Sequence, residues 1–532
     1  MFHCVLRCGM TSLALGFAFS GSAFAAPPKL DYLYPAGAQR GTTVTVTVGG
    51  TFERWPVKAW CDARGVDVTP AKQSGQLAVT VGKDVEPGVY AIRLYDHEGA
   101  SVARPFIVGQ LPEVTEKEPN DDPKKPQVIE QASVVVNGRL DKLGDVDTFT
   151  VKLTKGQTLV ASLEANRTLR SPMDGVLQLL SPDGFVLDRN DDYHSLDPQI
   201  AYPIVKDGTY LVRVFAFPSV ADSSIRFAGK ETFVYRLTLT SGPFVEYTYP
   251  LAVSRSAPGE VDLIGWNIPE ELRKFTIPPK KGQSALTLFH PAIANPFTVR
   301  LEANAGVAKT VATRDEPMTV APPITITGRL DKPGDIDVYR FDAKKGDKLA
   351  IRIDALSLGM PLDPVLRLTT PIGKTITQVR GAKIGSDPVL DLVVKEDATY
   401  GLEVSDLQAG GSLRHVYQLR IGPLVADFDV KTTVDNFTLS AGKPLEIPVT
   451  VTRVGGYKSD VTLNVEGLPG GVDWTATAKS ITLRLTAEKV DFAGPIRNVG
   501  SATDGTTRSA MAPVVELGRP TPNLWLTVTA KK

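Results

Sequence analysis

Cysteine is almost missing from this chain. Of three in 532 residues, Cys4 and Cys8 fall in an N-terminal stretch that reads as a processing segment, so Cys61 stands alone afterwards. A disulfide framework is thereby excluded, and the fold must rest on core burial, with or without a metal ion. A lone Cys61 reads as a small buried hydrophobe in preference to a reactive thiol. Histidine is scarce too, at five residues, and neither His-Glu-x-x-His nor paired cysteines occur, which removes the usual zinc sites. After the N-terminal segment no apolar run approaches the roughly 18 residues that a membrane-spanning helix needs. Charge of one sign is also absent, with 59 basic and 59 acidic residues and no basic cluster, so nucleic acid is not an expected partner. Apolar residues at helical spacing are rare, and a helical or α/β enzyme is disfavoured.

What the chain does have is alternation, turns and repetition. Forty prolines and forty-six glycines fit many short strands. The ten residues from Gly138 to Asp147, GRLDKLGDVD, return from Gly328 to Asp337 as GRLDKPGDID. Phe149, Val151 and Leu153 alternate with polar neighbours after the first copy, as Tyr339, Phe341 and Ala343 do after the second. Each copy closes alike, on Thr209-Tyr210 or Thr399-Tyr400 and then Tyr235-x-Leu237 or Tyr417-x-Leu419. Period-two alternation puts one face of each strand in a core and the other in water, so the fold class is all-β, a tandem array of β-sandwiches. At roughly 100 to 150 residues per domain the length suggests four or five of them.

Residues 1–25 carry Arg7, an apolar stretch from Met10 to Phe19 and Ala23-Phe24-Ala25, the features of a signal peptide, so a secreted or periplasmic protein is expected. Residues 27–110 hold Tyr34-Pro35 and then Gly41 with Val44, Val46 and Val48 before Gly49, a pattern that resembles the immunoglobulin-like IPT/TIG domains. Residues 116–242 and 315–423 are the two long copies. Between them, residues 243–312 repeat the Pro-to-Gly pattern in shorter form as Pro250, Gly259, Val261, Leu263 and Gly265, so the repeating unit is a pair: a small immunoglobulin-like domain and then a larger sandwich. Residues 424–532 form a C-terminal immunoglobulin-like unit. The stretch from Pro112 to Pro126 is rich in Glu, Asp, Lys and Pro and is expected to be a solvated linker, which makes the whole an elongated string.

Glu118-Pro119-Asn120-Asp121, Gly138-Arg139-Leu140, Asp145-x-Asp147 with an aromatic two positions on, and Gly208-Thr209-Tyr210 together resemble the bacterial pre-peptidase C-terminal domain. That family consists of jelly-roll-like β-sandwiches appended to secreted proteases and found in many exported proteins without a catalytic domain. The second copy keeps the hairpin motif but has Asp315-Glu316-Pro317-Met318-Thr319 at its front, where Met318 and Thr319 are expected to replace the Asn-Asp pair. In calcium-binding members linker acids meet turn aspartates, so the resemblance implies a calcium site in the first copy only, built from Glu116, Glu118, Asn120, Asp121, Asp145 and Asp147. Calcium takes six to eight oxygens, which a linker folded across a turn supplies; the same residues also suit a charged linker and a self-capping turn. Asp188-x-Asn190-Asp191-Asp192 lacks the central Gly and final Glu of an EF-hand and reads as a solvated turn.

The family's name raises the question of a peptidase. None of His3, His97, His194, His290 and His415 is followed by Gly, as subtilases require, and Ser509 sits in a GTTRSAMAP stretch with two residues inserted before the serine. An enzyme is therefore not expected. The expectation is an exported, non-catalytic binding or adhesion protein for extracellular polysaccharide or protein; the alternative is an accessory component of a secreted peptidase system. Trp55, Trp60, Trp266, Trp474 and Trp525 are scattered over different units and suit core packing as well as sugar stacking.

Overall fold

Alternating valines, leucines and aromatics become strands whose inward residues are buried, and the computed structural model is accordingly nearly all β. It describes residues 26–220, 226–304, 306–383, 385–488 and 490–529. The proposed signal peptide lies outside them. Among the described residues the two α-helices are four residues each, Asn166–Leu169 and Glu270–Arg273, and no helix is long and apolar enough to cross a membrane.

The first unit packs a sheet with Lys29–Tyr34 and Thr43–Thr51 against one with Gly88–Tyr95 and Arg104–Gly109, around Leu30, Val46, Leu77, Ile92 and Phe106. Trp55 packs at the margin of this core and gives its indole N–H to the Ala71 carbonyl. Cys61 is half-buried beside it; burial pushes its thiol up to about 12, which keeps it protonated and unreactive.

The two long copies share one topology. In the first, one sheet runs Glu113–Thr115, Ser133–Arg139, Val234–Thr240, Thr158–Glu164, Gln199–Pro203. The facing sheet runs Gln127–Ile129, Asp147–Leu153, Gly208–Pro218, Met173–Leu180, Val186–Asn190. In the second, the corresponding orders are Gly306–Ala308, Ile324–Arg329, Val416–Pro423, Lys348–Asp354, Val389–Val393, and Met318–Thr319, Ile336–Ala343, Ala398–Asp406, Pro364–Thr369, Thr375–Val379. Phe149 and Phe341 are fully buried in the respective cores.

The repeated glycine follows from this packing. A Cβ on Gly138 would stand 2.0 Å from the Tyr235 ring, and one on Gly328 would stand 2.2 Å from Tyr417. The glycine leaves room for a tyrosine to lie across its strand and aim its hydroxyl at the aspartate that ends the ten-residue motif.

Two expectations are corrected. The stretch from Pro112 to Pro126 is a solvated linker only in part: Glu113–Thr115 adds a parallel strand to Ser133–Arg139, Glu113 pairs with Arg236 at 2.6 Å and Asn120 is 1% exposed, while Asp122 to Lys125 stay in solvent. Gly306–Ala308 joins the second sandwich in the same way, so both sandwiches begin earlier than 116 and 315. Backbone pairing and one buried ion pair outweigh the solvation that the composition favours. Nor do the units form an extended string. The Arg93 guanidinium binds Asp435, Trp60 meets Trp525 edge to face at 5.6 Å, and the Asn436 amide donates to the Ala100 carbonyl at 2.6 Å. The C-terminal unit thus folds back onto the first.

Candidate metal centre

The six acidic and amide residues divide into two groups, set by where the incoming linker crosses the motif turn. Glu118, Asp121 and Asp145 converge, each offering an oxygen within 4.8 Å of the others. Asp121 Oδ1 accepts the Val146 N–H at 3.2 Å, tying linker to turn, and Asp145 Oδ2 accepts the Asp141 N–H at 2.6 Å. Asn120 is enclosed beside them, and neither of its amide atoms meets a partner; Asp145 Oδ1 and Asp147 Oδ1 are likewise buried without a hydrogen bond. Buried oxygens with no donor carry a substantial penalty, and a hard cation relieves it.

The second group lies deeper. Glu116 accepts the Tyr34 hydroxyl of the first unit at 3.0 Å, while Asp147 accepts the Tyr235 hydroxyl at 2.6 Å, with the same hydroxyl 3.5 Å from Glu116. Burial pushes both carboxyls up, and for Asp147 the neighbouring Glu116 charge adds to it. Asp145 is raised to about 7, first by burial and then by the close Asp121 carboxylate. Asp121 moves the other way: burial would raise it, but the Asp145 carboxyl beside it, the Val146 amide and Lys142 prevail.

Three further participants were not linked to the acids by the sequence. Lys142 holds its ammonium 3.4 Å from Asp121, 3.7 Å from Asp145 and 4.0 Å from Glu118, and these acids, Asp145 foremost, raise its own pKa. It is the fifth residue of the repeated decapeptide, a position at which a lysine in both copies was the available signal. Tyr34 and Tyr235 were visible as repeated tyrosines, but nothing local tied them to the acids.

The second sandwich differs at the site itself. Met318 pairs with Tyr339 as Gln127 pairs with Phe149, so Met318 is the counterpart of Gln127 and does not replace the Asn-Asp pair. The correction arises because the second linker is shorter, 309 to 318 against 116 to 127. Glu116 corresponds to Lys309: their N–H groups bond the carbonyls of Asn137 and Thr327, which precede the repeated glycines. Lys309 Nζ lies 2.9 Å from Asp337 Oδ1.

Other candidates resolve into local structure. The Ser412 hydroxyl meets His415 Nδ1 at 2.8 Å, but it also accepts the Arg414 N–H, and Asp406 binds the Gln408 and Gly410 amides, so these residues build a turn. Ser509 is exposed on Thr507–Ser509, and among the described residues no histidine bonds to it. Asn190 accepts the Gln199 N–H, and Asp191 meets Arg189 at the surface.

With the sandwich topology and acid cluster in place, the comparisons with known proteins can be set beside them. Residues 145–216 match the bacterial pre-peptidase C-terminal domain. The matched segment lies within the first sandwich, which is therefore a pre-peptidase C-terminal-like domain; the second sandwich repeats its strand order. No curated protein matches the chain. Among solved structures, the pre-peptidase C-terminal domain of collagenase from Bacillus anthracis is 16% identical, covering 21% of this chain and 99% of its own, with a TM-score of 0.18. The insect immune protein hemolin is 11% identical over 91% of this chain and 99% of its own, with a TM-score of 0.23. A Bacteroides ovatus protein, SGBP-B of the mixed-linkage glucan utilization locus, solved with a mixed-linkage heptasaccharide, is 10% identical over 73% of each chain, with a TM-score of 0.14.

Proposed function

We propose that this is an exported, non-catalytic binding protein, whose β-sandwich units present a surface to extracellular polysaccharide or surface protein while calcium braces the first sandwich. The observation that carries the reading is the kind of chemistry that converges. Among the described residues the acids with metal-ligand spacing are Glu118, Asp121 and Asp145, an all-oxygen set that suits a hard cation, with no nucleophile and base aligned beside them. Glu118, Asp121 and Asp145 would hold calcium, with Asn120 enclosed next to them. The ion would supply positive charge that locks the incoming strand onto the motif turn.

The test is an array of glycans and matrix proteins probed with the mature chain in calcium and in chelator. Binding of a defined polymer or protein, stronger with calcium, is the expected outcome. Hydrolysis of casein by the pure chain, lost on Ser509→Ala, would overturn the non-catalytic reading.

A further inference from the structure

A cavity of about 360 Å³ lies where four units meet, within the size range of small-molecule sites. Gln110 from the first unit, His194 and Gln199 from the first sandwich, Phe244 and Tyr247 from the third unit and Met360 from the second sandwich all line it. Three of these carry buried polar atoms with no partner in the protein. Gln199 is 2% exposed, and its Nε2 donates to Glu246 at 3.0 Å, so the unpartnered atom is the acceptor Oε1. Gln110 Nε2 donates to the His290 carbonyl at 3.0 Å and to that of Ile293, which again leaves Oε1 without a donor. His194 Nδ1 is the third.

The charges around the cavity balance. Glu246 is held by Arg414 at 3.0 Å, Arg300 by Asp354 at 2.8 Å and Arg236 by Glu113 at 2.6 Å, and Glu164 and Arg167, of opposite sign, complete the charged lining, so a charged guest would bring an excess charge into a partly desolvated space. His194 adds none, because burial, ahead of the Arg167 and Arg414 charges, lowers its ring to about 3 and keeps it neutral. The Gln199 and Gln110 oxygens are left without hydrogen-bond donors, and beside them the cavity offers an apolar wall from Phe244, Tyr247 and Met360. A neutral, hydroxyl-rich molecule with an apolar face has that complementary chemistry. We infer that this inter-unit cavity binds one unit of a neutral saccharide, with Gln199 and Gln110 as acceptors for its hydroxyls. The inference deepens the polysaccharide-binding reading and rests on it. It also makes the site a property of the assembled chain, since no single unit encloses it.

The test uses the full mature chain and saturation-transfer NMR with glucose, galactose, mannose and N-acetylglucosamine, with glucuronate as the charged control. One or more neutral sugars should show transfer and glucuronate should not. Affinity should fall about tenfold in Gln199→Leu, the effect of one lost buried hydrogen bond, and should vanish in Met360→Trp, which fills the cavity without touching a polar group. If Gln199→Leu does not fold, Met360→Trp decides alone. Silence from every neutral sugar, equal binding of glucuronate, or transfer that survives Met360→Trp each overturns the cavity assignment. Polymer binding on the array that both variants leave intact rejects the cavity but spares the binding reading; an array with no hits at all removes the reading itself.

Discussion

One fold handles the same buried aspartate in two ways. In the first sandwich Asp147 faces Glu116, a second acid, and the two share the Tyr235 hydroxyl. In the second sandwich Asp337 keeps its tyrosine, Tyr417, at 2.5 Å but faces Lys309, whose ammonium is part of the chain. A single position just past the entering strand, Glu116 or Lys309, should therefore decide whether the turn depends on solution conditions. Internal charge should make the second copy self-sufficient, and two acids should make the first responsive.

Removing the internal cation should disturb this contrast most. Lys309→Ala leaves Asp337 buried with no counter-charge and should cost the second sandwich about 3–5 kcal/mol, the usual penalty for breaking one partner out of a buried pair. Glu116→Gln, at the same place in the first sandwich, should instead raise stability in chelator, because it removes the like charge beside Asp147. Calorimetry that resolves the transitions of the two variants checks both signs. Equal destabilisation by the two changes would mean that the positions are not equivalent.

Calcium should separate the copies next. When free calcium is 100 times its dissociation constant, mass action stabilises the binding state by about 2.7 kcal/mol. The transition of the first sandwich should shift by that amount relative to chelator, and that of the second should not move. Asp145→Asn together with Asp147→Asn should abolish the shift. Two transitions that move together, or neither moving, would end the assignment of a metal to the first copy.

Much of this was legible in the sequence. Alternation at Phe149, Val151 and Leu153 marked a strand, and the structure buries all three. The repeated decapeptide marked the turn that carries Asp145 and Asp147. Its glycine could not be explained locally, because the ring that needs the space belongs to Tyr235, almost a hundred residues away and brought in by strand pairing. Lys309 was invisible for a related reason: it directly follows a three-residue parallel strand with no periodicity and no motif. The contacts that fold the chain back rest on single side chains, Arg93 on Asp435 and Trp60 on Trp525, which leave no pattern in composition.

The responsive copy should carry a pH signature as well. The folded-state pKa of Asp145 is raised from 3.8 to about 7, so the native first sandwich binds more protons than its unfolded chain across that interval. Linkage then makes stability fall as pH rises between those values. Below about 4 the carboxyl is protonated in both states and the contribution is complete; it is lost as pH passes through about 7. Glu116 and Asp147, raised by burial, act in the same direction. In chelator the first transition should thus drop between pH 4 and 7, and calcium should flatten the decline by favouring the ionised carboxylates. A first transition that rises with pH in chelator would contradict this.

Lys142 should give the weakest response. Its ammonium lies within 4.0 Å of all three converging acids, on a side chain that is 55% exposed, so it competes with a cation without being locked in place. Exposed pairs of this kind are worth about 0.2–1 kcal/mol each, so Lys142→Met should tighten calcium binding by a few-fold while lowering the stability of the calcium-free chain slightly. Lys332, at the same position of the second decapeptide, acts through its backbone, whose N–H donates to Asp335 at 2.8 Å, and Lys309 already supplies the second sandwich with its cation. Lys332→Met should accordingly leave both calcium binding and the second transition where they are. Calorimetric titration of the two variants reads the contrast directly. If Lys142→Met binds calcium no better than the parent chain, the lysine swings clear of the acids in solution, and the first site is gated by its buried protons alone.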